Sequence, residues 1–285
     1  MGKGERVYRG LNGEVNGDKK TAEAFATSWN HLPRGSVYTQ KQFEDWLGPV
    51  TRRDVEGKSV LELGCGNGSL LVHLTAWKPS QITGLDLGTS TCAAETNMRA
   101  TGFDNYAIVQ TDLTTFVSDG FDLAYCIGVL HHLEDPAKGF DAVLANTKSG
   151  GQFHCSVYSR EGNDVIVRLV DPLRKVTARL PWWLTKYVIS TPLAFPYFIY
   201  AKLLRPFRRT AWAKKAPLFE YSIWIAERPF SFFRHVVFDQ LVAPRTRYIE
   251  RTTIESWLRD SRVAPSSTYV IFRHGNSWKF GGRVQ

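Results

Sequence analysis

Short apolar runs alternate with amphipathic segments between residues 59 and 158, and this alternation restricts the possible folds more than any other feature. The apolar runs that predict strands are Ser59–Leu63, Gln81–Leu85, Tyr106–Gln110, Phe121–Ile127 and Gln152–Tyr158. The helical patterns between them are Ser69–Trp77, a segment that ends at Arg99, and Pro136–Asn146. Strands that alternate with helices at this spacing predict βαβ units and a parallel sheet covered by helices.

The segments on either side of this stretch follow other patterns. In residues 1–54 the predicted helices, on either side of the loop Asn30–Val37, are Ala22–Trp29 and Thr39–Leu47. Residues 160–247 are rich in aromatic residues, proline and arginine, and their periodicity is helical. We therefore predict that residues 160–247, called the insertion below, interrupt an αβ domain formed by residues 55–159 and 248–285.

The αβ pattern returns after the insertion. A helix is predicted over Thr252–Ser261, because Thr252 is suited to be its N-cap and Glu255 follows three residues later, as in a capping box. The strands predicted after this helix are Thr268–Arg273 and Trp278–Arg283.

The net charge of +9 is concentrated in one part of the insertion. Eleven bases and two acids lie between Asp164 and Lys215, so this stretch accounts for the whole excess. Such a local excess indicates an anionic partner, which is a nucleic acid, a membrane surface or a phosphorylated substrate. The alternative is a helical face that contacts only solvent.

Other features exclude several classes of protein. The four cysteines occur singly, without a CxxC pair or a Cys/His cluster, which argues against a zinc site and against a secreted disulfide scaffold. Residues 1–20 are polar and glycine-rich, and they contain no apolar run of the kind found in signal peptides. No run reaches the roughly 18 apolar residues that span a bilayer. We expect a soluble, cytoplasmic protein.

A glycine-rich loop follows the first predicted strand. Gly64, Gly66 and Gly68 alternate with other residues, which allows a sharp turn and the close approach of a ligand to the backbone. The spacing is GxGxG and differs from the GxGxxG of dinucleotide sites, so a nicotinamide-dependent dehydrogenase is less favoured. Asp86 ends the second strand, where an acid can accept hydrogen bonds from ribose hydroxyls. Asp112 ends the third strand, where a carboxylate beside the apolar Leu113 can accept from the amino group of an adenine.

Five stretches together carry a resemblance to a known family. They are Glu62–Gly68, Gly84–Leu87, Thr111–Leu113, Phe121–Pro136 and Ser149–Phe153. In these stretches the chain resembles the class I S-adenosylmethionine-dependent methyltransferases, and in particular those that act on small molecules. The resemblance covers about Val55 to Tyr158. It implies a doubly wound, mostly parallel, seven-stranded αβ sheet of the Rossmann-like methyltransferase type, with the insertion before the last helix and strand pair.

The resemblance also implies which residues bind S-adenosylmethionine. Gly64 to Gly68 would pass under its methionine part, Asp86 would hold the ribose, and Asp112 with Leu113 would frame the adenine. Family members close the pocket with an N-terminal helical lid, which here would lie in residues 1–54. The full set assigned to the cofactor is Glu62, Gly64, Cys65, Gly66, Gly68, Asp86, Leu87, Asp112, Leu113, Cys126 and Ile127, with Trp29 and Tyr38 from the lid.

Candidate residues for the methyl acceptor follow the fourth strand and end the insertion. His131 and His132 lie where such folds place the substrate, and an imidazole can act as a general base. The alternative is that both histidines only pack in the loop. Asp239, Gln240 and Tyr248 are polar residues in an aromatic setting, and they either contact the substrate or attach the insertion to the sheet.

We therefore predict an S-adenosylmethionine-dependent methyltransferase that acts on a small-molecule or lipid-associated acceptor, with the insertion as a roof over the acceptor site. The aromatic and basic composition of the insertion is compatible with peripheral membrane contact. One alternative is a tRNA-modifying methyltransferase, which the charge would suit although no RNA-binding module is recognisable. A second is a protein that binds the cofactor without transferring methyl. No metal is expected.

Overall fold

The computed structural model describes residues 16–30, 32 and 34–285. Two predictions concern residues that lie partly outside this range. They are that residues 1–20 contain no signal peptide and that residues 1–54 form a lid, and for both the part before residue 16 is outside the described residues. The strands are β1 Ser59–Leu63, β2 Gln81–Asp86, β3 Tyr106–Gln110, β4 Phe121–Ile127, β5 Thr147–Tyr158, β6 Tyr269–Arg273 and β7 Ser277–Arg283.

Helices surround these strands. The α-helices are α1 Asn16–Asn30, α2 Gln40–Leu47, α3 Arg52–Val55, α4 Ser69–Leu74, α5 Thr91–Arg99, α6 Pro136–Ala145, α7 Asp164–Thr177, α8 Ser190–Leu204, α9 Phe219–Ile225, α10 Phe230–Val242 and α11 Arg251–Trp257. The shorter helical turns are Thr75–Trp77, Leu130–His132, Leu184–Ile189, Arg205–Phe207, Ala213–Lys215 and Pro265–Ser267.

The strands form one sheet in the order β3-β2-β1-β4-β5-β7-β6. The five strands β1 to β5 pair in parallel, whereas β7 is antiparallel to both of its neighbours. This confirms the predicted mostly parallel, seven-stranded sheet. The strand order reverses between β1 and β4, and in such folds ligands bind in the crevice outside the carboxyl ends of the strands at this point.

Burial explains why the central strands are so apolar. All five residues of β1 are buried. Leu61 and Leu63 belong to the hydrophobic cluster on one face of the sheet, and Val60 belongs to the cluster on the other face. A strand that is covered by helices on both faces needs apolar side chains at consecutive positions, which produces the continuous apolar run seen in the sequence.

The predicted bounds are correct for β1, β3 and β4, whereas the other elements differ at one or both ends, most clearly α1, β5 and the last helix. β5 begins at Thr147 rather than Gln152, because its first residues pair with the start of β4 across an irregularity in the register. The last helix begins at Arg251, with Glu250 in extended conformation as its N-cap, so the prediction of Thr252 as the N-cap is wrong. The Thr252 hydroxyl donates to the Glu250 carboxylate at 3.4 Å instead.

The helices α7 to α10 lie between β5 and α11, where the insertion was predicted. Ala194 and Ala201 of α8 pack with Phe233 of α10 and Ile225 of α9 in a hydrophobic cluster separate from those on the sheet. In the part of the chain that the structure describes, no helix has both the length and the apolar character needed to cross a bilayer.

Candidate functional site

One large cavity, with a volume of about 580 Å³, lies at the carboxyl ends of the parallel strands. The ends of β1, β2 and β4 form one side of it, and they contribute Glu62, Asp86 and Ile127. Helices α7 and α10 of the insertion form the opposite side, and α1 closes it above the strands. The cavity therefore lies between the sheet and the insertion, as a roofed site requires.

The glycine loop between β1 and α4 is shaped by contacts with its neighbours. The backbone N–H groups of Gly64 and Cys65 both donate to the Leu85 carbonyl of β2, each at 2.7 Å. Gly64 has a φ of +84°, and a Cβ at this position would collide with the side chain of Val129. Glycine is therefore required here by both conformation and space.

The other two glycines of the loop have different positions. Gly66 lines the cavity below the ring of Trp29. Gly68 does not line it and forms the N-cap of α4 in left-handed conformation. Gly68 therefore shapes the loop and is not placed to contact a ligand, which corrects the prediction that it binds the cofactor.

The Asp86 carboxylate at the end of β2 is fixed by this loop. Its Oδ2 accepts from the Gly66 N–H and its Oδ1 from the Gly88 N–H, each at 2.8 Å. Burial raises the pKa of Asp86 above its ordinary value, and the two backbone hydrogen bonds oppose that shift. Because each carboxylate oxygen has two lone pairs, Asp86 retains acceptor capacity toward the cavity. Leu87, which follows it, also lines the cavity.

Asp112, which follows β3, presents an unpaired acceptor. Its Oδ1 accepts from the backbone N–H and the hydroxyl of Thr114, each at 2.8 Å. Its Oδ2 is buried and has no hydrogen-bond partner among the described residues. A buried acceptor without a partner is costly, so a ligand with an N–H group would satisfy it. Leu113, beside it, lines the same part of the cavity with apolar surface.

Glu62 and Cys65 lie deeper at the same end of the cavity. Glu62 is buried and accepts from the Tyr125 hydroxyl at 3.0 Å. Burial raises the pKa of Glu62 to about 8, so this side chain holds a proton at neutral pH. Burial also holds the pKa of the Cys65 thiol well above its ordinary value, so Cys65 acts here as a small apolar side chain.

Cys126 is misplaced in the sequence-based prediction. Its side chain is wholly buried in the cluster with Leu61 and Leu63, and it does not line the cavity. Successive residues of a strand point to opposite faces, so the neighbouring Ile127 takes the side that faces the cavity. Only Ile127 of this pair is placed to contact a cofactor.

His131 and His132 form a helical turn after β4, and both line the cavity. The two ring nitrogens of His131 are sealed from solvent and have no hydrogen-bond partner in the described chain. Its ring packs 4.2 Å from both His132 and Tyr158. Burial holds the pKa of His131 well below its ordinary value, so the ring is neutral.

His132 is oriented differently, because its Nδ1 lies 2.8 Å from the Arg245 carbonyl. A carbonyl oxygen only accepts, so Nδ1 carries the proton and Nε2 keeps its lone pair. Nε2 makes no hydrogen bond in the described part of the chain, and the residue lines the cavity. Burial lowers the pKa of His132 to about 4, and the hydrogen bond to Arg245 opposes the shift.

Two further predicted residues, Gln240 and Tyr248, belong to a network that joins the insertion to the sheet. Gln240 donates from Nε2 to the Tyr158 hydroxyl at 2.9 Å and accepts from Arg174 at 2.9 Å. The Tyr248 hydroxyl accepts from Arg174 at 3.3 Å. The polar groups of Gln240, Tyr248 and Tyr158 are therefore engaged with one another or with Arg174, and they fix the wall of the cavity.

Asp239 lines the cavity and links α10 to α1. The Ser28 hydroxyl donates to its Oδ1 at 2.5 Å, and His235 Nε2 lies 3.2 Å from its Oδ2. Burial raises the pKa of Asp239 above its ordinary value. Trp29, which follows Ser28, contacts His235 with its ring centroid 5.3 Å away and Tyr38 at 6.2 Å. Trp29 and Tyr38 both line the cavity.

Sequence reasoning missed several residues of this site. Tyr158 and Phe25 line the cavity, and Ser28 and Arg174 position its walls. Tyr158 could have been found, because it ends β5 at the same edge of the sheet as Asp86. The positions of Phe25 and Arg174 depend on helix packing, and no local pattern indicates them. Among the described residues, no cluster of three or more histidine, cysteine or acidic side chains is arranged to hold a metal ion.

Comparisons with known proteins agree with this geometry. A family model described as a methyltransferase domain matches residues 38–214, which is more than half of the chain. The chain belongs to this methyltransferase family. The match includes the glycine loop, both strand-end acids and the histidine pair, and it confirms the resemblance found in the motifs.

Individual relatives of this methyltransferase are more distant. An uncharacterized protein of Synechococcus is 34% identical over 119 residues, which are 40% of this chain but 28% of that protein. The ubiquinone biosynthesis O-methyltransferase of Pseudomonas syringae is 26% identical over 170 residues, which are 59% of this chain and 67% of that enzyme. A solved structure, that of magnesium protoporphyrin IX methyltransferase from Synechocystis with bound SAH, aligns with 96% of this chain and 90% of its own chain. The sequence identity is 13% and the TM-score is 0.49.

Proposed function

We propose that this methyltransferase transfers the methyl group of S-adenosylmethionine to a small, largely apolar acceptor. The proposal rests on two carboxylates that line one wall of the same cavity. One is oriented by backbone hydrogen bonds, and the other has an oxygen without a hydrogen-bond partner among the described residues. Asp86 is held by the glycine loop, and Asp112 Oδ2 has no partner in the described chain. A ribose hydroxyl pair and an adenine amino group are the donors that these two acids fit.

The residues that would hold the cofactor follow from these contacts. Gly64 to Gly66 would lie under its methionine part, Asp86 would accept from the ribose, and Asp112 with Leu113 would frame the adenine. Trp29 and Tyr38 would cover the site from the lid. When bound, S-adenosylmethionine supplies an activated methyl group on a sulfonium.

The chain itself would orient the acceptor and remove its proton. His132 is the candidate general base, because the Arg245 carbonyl fixes its tautomer with the lone pair on Nε2. The proton of an acceptor O–H or N–H would pass to that nitrogen as the acceptor atom bonds to the methyl carbon, and the carbon–sulfur bond would break with its electron pair left on the sulfur of S-adenosylhomocysteine. His131 would hold the ring of His132 in place through its contact at 4.2 Å. Of the two predicted catalytic histidines, we therefore assign the chemistry to His132 and positioning to His131.

The far side of the cavity supports an apolar acceptor. Ile166 and Leu173 of α7 and Val236 and Leu241 of α10 line it. Polar groups there are few and mostly engaged with one another, as Gln240 and Tyr248 are. Sites for small molecules combine apolar walls with a few placed polar groups, which matches this side of the cavity. The ubiquinone relative, whose name denotes a small-molecule O-methyltransferase, points in the same direction.

A calorimetric titration with S-adenosylhomocysteine tests the cofactor assignment. Asp112→Asn would retain the acceptor toward Thr114 and replace the free oxygen by an N–H donor, which would then face the donor of the adenine. We expect binding at least about tenfold weaker, since an unmet buried donor costs on the order of 1–3 kcal/mol. The matched control is Asp104→Asn, at an exposed acid outside the cavity. Equal affinity of the two variants would refute the adenine assignment.

Incubation of the same proteins with methyl-labelled S-adenosylmethionine and acceptor fractions separates the alternatives that remain. A protein that only binds the cofactor would show S-adenosylhomocysteine affinity but no labelled product with any acceptor fraction. A tRNA-modifying enzyme would place the label in RNA, and the basic insertion is the feature that favours it.

A further inference from the structure

The outer surface of the insertion combines exposed apolar side chains with unpaired bases. Twelve of the fifteen large apolar side chains that are exposed in the described part of the chain belong to the insertion. Among them are Trp183, Phe195, Ile199, Leu203, Phe207 and Trp212. A protein rarely leaves so many large apolar side chains of one segment exposed unless they meet a partner.

Helix α8 shows why this surface is unusual. It contains one charged residue, Lys202, in fifteen positions. Its inner side packs through Ala194 and Ala201, yet its outer side carries Ile199 and Leu203. The outer face of a surface helix is normally polar, so a helix that is apolar on all sides requires a further apolar or amphipathic neighbour.

The charge around this surface has one sign. Between Asp171 and Glu220 the chain has ten bases and no acid. Arg208, Arg209, Lys214 and Lys215 are exposed and make no ion pair within the described chain. They flank Phe207 and Trp212, whose ring centroids lie 5.2 Å apart. Aromatic and aliphatic side chains among lysine and arginine are typical of surfaces that lie in the interface of an anionic bilayer.

The cavity opens onto this same surface. Leu169 and Leu173 of α7 and Leu193 of α8 line the cavity and are also exposed to solvent. An apolar molecule that leaves a bilayer beneath these side chains would reach the acceptor side of the cavity without crossing a polar barrier.

From these observations we infer that the insertion docks on an anionic lipid bilayer and that the cavity receives a membrane-dissolved, amphipathic acceptor through the opening between α7 and α8. This inference rests on the proposed methyltransferase function for the identity of the acceptor. A second copy of the chain is a poorer partner, because a two-fold interface would place the same bases against each other. Nucleic acid is a poorer partner because this surface also exposes Leu193, Ile199 and Leu203, whose aliphatic side chains neither stack on bases nor pair with phosphates.

Co-sedimentation with vesicles tests the inference. Vesicles of phosphatidylcholine with phosphatidylglycerol are compared with vesicles of phosphatidylcholine alone at about 150 mM salt, where exposed charges are screened beyond roughly 8 Å. We expect binding to the anionic vesicles. The double variant Arg208→Glu with Arg209→Glu should weaken it at least about tenfold. The charge-matched control is Arg53→Glu with Lys58→Glu, at exposed bases outside the insertion, and it should bind as the unchanged protein does.

A second pair of variants tests the apolar contribution. Ile199 and Ile271 are equally exposed, at 40% and 38%, but Ile271 lies on the edge strand β6. Ile199→Asp should reduce vesicle binding, whereas Ile271→Asp should not. Binding that is equal in both variants, equal on neutral and anionic vesicles, or absent would overturn the inference. Tight binding of tRNA without vesicle binding, or self-association that hides the patch, would also overturn it.

Calorimetry with S-adenosylhomocysteine on the same proteins separates this inference from the proposed function. All six substituted positions lie outside the cavity lining, so the four variants should keep the affinity of the unchanged protein. Cofactor binding without vesicle binding would refute the docking surface alone. Vesicle binding without cofactor binding would refute the proposed function and leave the docking surface standing.

Discussion

Replacing Asp86 with alanine is expected to weaken the binding of S-adenosylhomocysteine by at least about a hundredfold. Two hydrogen bonds from ribose hydroxyls to a carboxylate contribute on the order of 1.5–3 kcal/mol each, and about 1.4 kcal/mol corresponds to a factor of ten. The variant also leaves the N–H groups of Gly66 and Gly88 without their acceptor, because the carboxylate receives each of them at 2.8 Å. The glycine loop thus loses the group that orients it.

Calorimetric titration measures this loss, and circular dichroism with thermal unfolding shows whether the variant is folded. Asp86→Asn keeps one acceptor oxygen but turns the other into a donor that faces a backbone N–H, so its affinity should fall by an intermediate amount. Asp104→Ala, at an exposed acid, is the control and should bind normally. A folded Asp86→Ala protein with unchanged affinity would refute the assignment of the ribose to the acid that ends β2.

Three more predictions concern catalysis and stability. His132→Ala should lower kcat by about 10²–10⁴ with S-adenosylhomocysteine affinity retained, while His131→Ala should mainly lower stability; the reverse pattern in steady-state kinetics would exchange their roles. Burial lowers the pKa of His132 to about 4 and of His154 to about 3, so the unfolded chain binds more protons below about pH 6.5. At about pH 5 each of these two neutral histidines should therefore lower the free energy of unfolding by about 2 kcal/mol relative to its value at neutral pH. Urea titrations at both pH values should show that His154→Gln loses less unfolding free energy on acidification than the unchanged protein does. Burial raises the pKa of Glu62 to about 8, so the folded chain keeps a proton that the unfolded chain loses above about pH 4.5. Stability should thus fall as the pH rises toward 8, and Glu62→Gln should remove that slope; an unchanged slope would show that Glu62 is ionised at neutral pH.

The sequence was most informative where local patterns and burial agree. β1, β3 and β4 were predicted residue for residue, because each run is bounded by turn residues. β1 and β4 are also buried, whereas β3 is a half-buried strand at the edge of the sheet. The strand-end acids were also placed correctly, since parallel strands bring their carboxyl ends to one edge. These features depend on short-range order along the chain.

Cys126 was assigned to the cavity, although the alternation of side chains along β4 turns it to the face of the sheet opposite Ile127, as the strand period alone indicates. The other features that could not be predicted depend on contacts that are distant in sequence. The histidine pair could not be resolved into two roles, because the Arg245 carbonyl that orients His132 lies more than a hundred residues away. The link between Ser28 and Asp239 joins helices at opposite ends of the sequence and has no local signal.

Transfer of a labelled methyl group directly tests whether this protein methylates a small apolar acceptor. The protein is incubated with methyl-labelled S-adenosylmethionine and a lysate of the parent organism, and mass spectrometry locates the label in the lipid, aqueous and RNA fractions. We expect a labelled apolar small molecule in the lipid extract, S-adenosylhomocysteine in equal amount, and loss of both with Asp86→Ala. Label confined to tRNA, or the absence of any labelled product from a protein that binds the cofactor, would contradict it.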